Sequence, residues 1–238
     1  MKTVLVTGAS KGLGASLIKE FAVNKYNVII TYNTGIDSAE KLKEVVMNYN
    51  IDARIIKCDI SNERDVINLF KDNKIDILIN NAALSKDSEL LYKTKKEFME
   101  VLEVNLVGTF LICKEAIKNG VKNIINISST DSIDTFSSFN VDYSVSKSGI
   151  NLLTKIIAET YKDIRIFAVL PNWINTESVL EMNSIYLNSE LKRIGQDKLL
   201  DKDEVAKAIF ELYENKNIKS GNLIRIDYED GLCIKNLG

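Results

Sequence analysis

The chain has 238 residues, of which 45% are hydrophobic, a formal charge of −2 and a pI near 5.5. That length buries one substantial core, and the near-neutral balance offers no general attraction to nucleic acid or to an anionic membrane, so neither is expected as a partner. It contains no histidine, which removes the usual near-neutral acid and base and one of the commonest metal ligands.

In chain order, short apolar runs near residues 2–7, 27–32, 52–58, 75–79, 122–128, 163–170 and 222–227 alternate with longer segments of helical period. Strands apolar on both faces, separated by helices, predict a parallel sheet covered on both sides, an α/β doubly wound fold in one domain spanning 1–238. The polar stretches 130–142 and 215–222 read as loops. Residues 176–200 follow the single proline, Pro171, lack a strand and predict a helical lid. Cys58, Cys113 and Cys233 lie far apart, fit no metal or redox spacing, and read as buried thiols of a reducing compartment. The first apolar run stops at Gly8, too soon for a signal peptide, and no run is long enough to span a bilayer, so a soluble cytoplasmic protein is expected.

The first strand, Lys2-Thr-Val-Leu-Val-Thr7, runs into Gly8-Ala-Ser10-Lys11-Gly12-Leu13-Gly14 and then into a helix with apolar residues at Leu17, Ile18 and Phe21. Glycines there allow a tight turn and close backbone approach. The helix N-terminus presents free N–H groups and a positive dipole end to a pyrophosphate. The turn makes a nucleotide-site candidate, and a purely structural turn is the alternative.

Further on, Tyr143-Ser-Val-Ser-Lys147 places a phenol and an ammonium on one helical face, just after a strand ending in Ser128-Ser129. This pairing supplies a proton donor without histidine. Tyr92 and Lys96 repeat the spacing inside a polar run, Tyr92-Lys-Thr-Lys-Lys96, that reads as a solvated face, so context rather than spacing separates the two pairs.

Thr7-Gly8-x-x-x-Gly12-x-Gly14, Asn80-Asn81-Ala82, Asn105, Ser129, Tyr143-x-x-x-Lys147 and Pro171 to Thr176 together resemble, in order and over essentially the whole chain, the classical short-chain dehydrogenase/reductases, most closely their 3-oxoacyl carrier-protein reductases. The resemblance implies a Rossmann-type, mostly parallel seven-stranded sheet, a cofactor-binding half of about 1–120 and a catalytic half of about 121–238. It implies Tyr143 as general acid/base, Lys147 as its electrostatic partner, a hydroxyl from Ser129 on the substrate oxygen, and Asn105 shaping the active-site helix and positioning a water. A capping or packing asparagine is the alternative for Asn105. Relatives place the serine thirteen positions before the tyrosine, where Thr130 stands. Ser129 is chosen because it ends the strand as in the family, with Thr130 and Ser128 in reserve.

For the cofactor, the resemblance implies Gly8, Ser10, Lys11, Gly12, Leu13 and Gly14 around the phosphates, and Asp59 and Ile60 at the adenine, with a surface Asp capping the next turn as the alternative. Asn81, Ala82 and Ala83 would line the dinucleotide, and Pro171, Ile174 and Thr176 would meet the nicotinamide end. Tyr143 and Lys147 also face it. The chain departs from the family pattern at Ala83 and Asn172, which replace glycines, and at the strand end Asp227-Tyr-Glu-Asp-Gly231. The second strand ends Thr31-Tyr-Asn33-Thr34 without an acid that would repel a 2′-phosphate, and Lys11 is placed to attract one. NADP(H) is therefore the expected cofactor, with NAD(H) as the alternative and Lys11 as an ordinary exposed lysine the bland one.

The expected reaction is hydride transfer between nicotinamide and a carbonyl or secondary alcohol, such as a 3-oxoacyl thioester, possibly on an acyl carrier protein. A sugar or steroid dehydrogenase and a catalytically silent NADP-binding sensor are the alternatives. A charge about 4 Å away at an effective dielectric of about 20 is worth roughly 4 kcal/mol, or about three pKa units, so Lys147 is expected to lower the phenol. A homodimer or homotetramer is implied by the resemblance.

Overall fold

Among the described residues, eight strands form one sheet in the order β3-β2-β1-β4-β5-β6-β7-β8. The computed structural model describes residues 1–229 and 231–238, so Asp230, within the departing strand end, lies outside the described residues. The strands are β1 Thr3–Val6, β2 Asn27–Tyr32, β3 Ala53–Lys57, β4 Ile77–Asn80, β5 Asn123–Ile127, β6 Arg165–Pro171, β7 Leu223–Tyr228 and β8 Leu232–Asn236. The first seven pair in parallel; β8 returns antiparallel on β7, with Tyr228 opposite Leu232.

The eighth strand corrects the expectation of seven. Leu232-Cys-Ile-Lys-Asn236 is half-buried to exposed on an edge, so it lacks the two-faced apolar run that marks the others. Gly231, at φ +148, takes a backbone conformation open to glycine and sits at the reversal. Cys233 is accordingly only half-buried, whereas Cys58 and Cys113 are buried, with burial pushing both thiols up to about 12.

Alternation along each strand builds the two faces. In β1, Val4 and Val6 join one core and Leu5 the other. The first core is closed by α1 Gly12–Val23, α2 Ile36–Met47 and α9 Lys202–Glu214, where Phe21, Tyr26, Phe210 and Tyr213 meet edge to face or tilted. The second lies under α3 Glu63–Lys71, α5 Thr109–Lys118 and α6 Val141–Thr160. Chain order reverses between β1 and β4, so the carboxyl ends of those strands open a crevice, the place where doubly wound sheets take ligands.

The remaining helices are α4 Lys95–Leu102, α7 Glu177–Leu180 and α8 Ser184–Ile194. The last two fill the segment expected to form a lid. Thr94 and Glu97 close a capping box at the start of α4, and Asn183 caps α8. Between α4 and α5 the chain widens into a π-helical turn, Glu103–Gly108, that carries Asn105.

Candidate active site

At the crevice, Thr7 staples two loops together. Its hydroxyl accepts the backbone N–H groups of Asn81 (2.9 Å) and Ala82 (3.0 Å), while the Asn81 amide donates to the carbonyls of Thr7 and Gly8. The close fit leaves no room for side chains on the turn. A Cβ on Gly14 would lie 2.4 Å from the Gly8 carbonyl oxygen and 2.6 Å from the Asn81 amide nitrogen. Gly12, at φ +57, begins α1, and Lys11 caps that helix without a side-chain hydrogen bond, so the first N–H groups of α1 have no partner from a capping side chain. Ser10 is half-buried beside them, Leu13 buried, and Lys11 exposed.

Asn33 and Thr34 are exposed just past β2, with Asp37 in the first turn of α2. Asp59 spends one oxygen on Ser61, accepting its N–H at 3.0 Å and its hydroxyl at 2.6 Å, which is the turn-capping geometry held open as its alternative. Ile60 is buried, its side chain 2.8 Å from where a Cβ on Gly108 would stand. Ala83 is exposed. Across the crevice, Pro171 ends β6, Ile174 bridges to Leu200, and Thr176 places its methyl 3.4 Å from an ideal Cβ on Gly12. Asn172 adopts no left-handed backbone and uses its amide on Asp227, so asparagine stands in the glycine position without strain. Trp173 is half-buried and bonds through its backbone to Gln196 and Leu200.

The three hydroxyls after β5 separate cleanly. Ser128 donates to the Lys147 carbonyl (3.2 Å), and Thr130 is fully buried, accepting from Thr135 (2.8 Å). Ser129 accepts the Asp131 N–H at 3.1 Å and is the one hydroxyl of the three that acts on the Tyr143 phenol, pulling it back toward its ordinary value. The Thr130–Ser132 turn that follows is organised around buried Asp131, which takes bonds from Thr135 and Asn140.

Lys147 is 2% exposed; its ammonium donates to the Ile127 carbonyl at 2.8 Å and lies 5.3 Å from the Tyr143 ring centroid. The control pair behaves differently: Tyr92 is 77% exposed and the Lys96 side chain 85%. Asn105 is fully buried, clasping Leu84 through its N–H (2.7 Å) and carbonyl (2.9 Å) and donating to Ser146 (3.1 Å), so its amide ties the loop after β4 to α6. Asn80 donates to Asn126, and Asn126 to Thr154, in a buried amide ladder across the sheet.

The short chain dehydrogenase family model matches residues 2–185. The chain belongs to the short-chain dehydrogenase/reductase family. It is 31% identical to glucose 1-dehydrogenase 2 of Bacillus subtilis over 87% of this chain and 85% of that protein, and 34% identical to 3beta-hydroxysteroid dehydrogenase 1 of Eggerthella lenta over 74% and 71%. The 3-oxoacyl-acyl-carrier-protein reductase FabG of Aquifex aeolicus is 27% identical over 95% and 96%. In fold, a dehydrogenase/reductase from Sinorhizobium meliloti superposes with a TM-score of 0.87 at 22% identity, covering 94% of this chain and 92% of that one.

Short-chain dehydrogenase/reductases work with NAD(P)(H), and this chain fits the group: the uncapped N-terminus of α1 and the side-chain-free approach at Gly8, Gly12 and Gly14 make a cradle for a pyrophosphate. One residue that sequence reasoning missed intrudes on it. The Glu177 carboxylate is held below the usual carboxylate range by Lys202, whose ammonium is 2.9 Å away, and further by backbone N–H groups including that of Gly12. Its second oxygen lies 3.6 Å from an ideal Cβ on Gly12. A pyrophosphate would compete for the same donor, and a charge at a helix N-terminus is worth about 0.3–1 kcal/mol. Glu177→Gln is therefore expected to tighten NADPH binding roughly 2- to 5-fold, by the tenfold-per-1.4 kcal/mol relation. Calorimetric titration checks this, and a weaker or unchanged Kd would remove Glu177 as a competitor.

The expected lowering of the Tyr143 phenol by Lys147 is overturned. Burial raises the phenol above its ordinary value, the Asp131 charge adds to the rise, and only Ser129 opposes it. The ammonium lies 5.3 Å from the ring centroid and spends a proton on the Ile127 carbonyl, and it too is desolvated, which pulls Lys147 down to about 8.

That shift has a measurable sign. An unfolded lysine keeps its proton to about 10.5, so between about pH 8 and 10.5 the unfolded chain binds more protons and stability rises with pH. Measured by denaturant titration, the stability of the protein relative to a Lys147→Met variant is expected to grow by about 3 kcal/mol from pH 7 to 11. A flat difference would show an unperturbed lysine.

Proposed function

We propose that the protein is an NADP(H)-preferring carbonyl reductase in which Tyr143 donates the proton to the substrate oxygen. The observation that carries the reading is the convergence of Tyr143, Ser129 and Lys147 at the carboxyl end of β5, the same edge of the parallel sheet on which α1 starts after β1. The cofactor supplies the hydride. The phenol holds its proton at neutral pH, the form a proton donor in reduction needs, although its raised value makes it a weaker acid than one matched to neutral pH. Ser129 bonds the substrate oxygen and steadies its developing charge. Lys147 holds a positive charge under the ring, and Asn105 keeps the loop after β4 against α6.

Support for NADP(H) comes from the exposed Lys11 at the head of α1 and the absence of a carboxylate at Asn33 and Thr34, immediately past β2. The substrate is read as a 3-oxoacyl thioester or a similar ketone, consistent with the near full-length match to the carrier-protein reductase. A second reading, a sugar or steroid dehydrogenase, is favoured by the higher identity to the glucose and hydroxysteroid enzymes. Lid residues Leu180 and Ile185, 62% and 79% exposed, give the mouth an apolar character common to ketone and steroid.

One assay separates these. NADPH and NADH oxidation is followed with acetoacetyl thioesters, diketones, ketosteroids and ketosugars, and NADP+ and NAD+ reduction with the matching alcohols and glucose. Preference for NADPH with the thioester supports the first reading; turnover confined to steroid or sugar selects the second. Tight NADPH binding without turnover on the whole panel would overturn both.

A further inference from the structure

Lys93 lies inside the polar run that reads as solvated from sequence, yet its side chain is 3% exposed, and its ammonium meets Asp142 Oδ2 at 2.8 Å, itself 0% exposed. Among the described residues it is the one ion pair in which both side chains are less than 5% exposed. Desolvation makes such a pair a poor source of stability, since apolar residues of similar volume do as well. Its placement suggests another use. Asp142 directly precedes Tyr143, and its Oδ1 accepts the Tyr143 N–H at 2.9 Å in the first turn of α6, a helix whose N-cap, Asn140, makes no side-chain cap bond. Lys93 also donates to the Lys86 carbonyl, so the ammonium joins the segment between β4 and α4 to the head of α6. Backbone bonds from Ser88 to Phe139 and from Leu90 to Ser138 run alongside.

We propose that Lys93 and Asp142 are a positioning pair that sets the start of α6, and with it the Tyr143 phenol, against the reacting carbonyl; this rests on Tyr143 being the proton donor. Proton transfer depends on placement to within a fraction of an ångström, and a displacement of about 1 Å costs on the order of 100-fold. Lys93 fixes the backbone beneath the phenol from the β4 side.

The test uses the full chain with NADPH and the ketone it turns over. Lys93→Met alone leaves a buried carboxylate unpaired and destabilises the fold. Lys93→Met/Asp142→Asn removes both charges and keeps an oxygen for the Tyr143 N–H. The double variant is expected to recover the melting temperature of the parent to within about 2 °C and an NADPH Kd within about twofold. Its kcat stays at least about tenfold low by the same misplacement argument, and the amides of Tyr143 and Ser144 exchange hydrogen faster than in the parent because the start of α6 is no longer tied to the segment before α4. Recovery of kcat together with stability, or unchanged exchange at those two amides, would overturn the proposal. Full activity in Tyr143→Phe would strike the reading of Tyr143 instead, leaving the exchange result to judge the pair.

Discussion

Tyr143→Phe is expected to lower kcat by at least 100-fold while NADPH binds as before. General acid catalysis contributes about 10² to 10⁴ in rate, and the chain offers no imidazole to take over the role. The substitution removes one oxygen. Ser129 keeps the Asp131 N–H as its partner, and the ring that covers the Lys147 ammonium stays in place. The fold is therefore expected to hold, with an unchanged thermal transition as the control. Single-turnover measurements separate the chemical step from binding. Retained turnover would remove Tyr143 as the acid and direct attention to Ser129 or Lys147.

Gly14→Ala is expected to damage the cofactor cradle more than any other single methyl group. The new carbon would stand 2.4 Å from the Gly8 carbonyl oxygen and 2.9 Å from the Ala9 Cα, both backbone atoms that no rotamer change can move. Relief requires α1 to slide away from the β1 and β4 loops, breaking the register that Thr7 and Asn81 maintain. Overpacking of this kind costs about 1–3 kcal/mol of stability. With the helix N-terminus displaced, the NADPH Kd is expected to rise by about 30-fold or more, since each 1.4 kcal/mol is tenfold. Fluorescence titration of NADPH beside a melting curve tests both parts, and an alanine variant with parental affinity would show that α1 adapts.

The parallel sheet was legible in the chain because strands buried on both faces cannot hide their composition: Val4, Leu5 and Val6 are each fully buried although they face opposite cores. The same holds for the glycine turn, where a missing Cβ is a covalent fact that local spacing exposes. The edge strand β8 was not legible, because half-exposed residues carry no periodic constraint. Asp59 shows the limit from the other side, since its residue type suits both a ligand contact and the turn to Ser61 that it forms.

By itself, then, the sequence determined the layer architecture, the uncapped helix after the first strand, and the co-facial phenol and ammonium of Tyr143 and Lys147, all set by covalent spacing and local period. Only the tertiary structure decided how Ser128, Ser129 and Thr130 divide their hydrogen bonds, that burial raises the Tyr143 phenol above its ordinary value, that Glu177 reaches the head of α1, and that Lys93 is buried against Asp142. Those outcomes depend on desolvation and on contacts between distant segments, and neither is encoded in the spacing of neighbours along the chain.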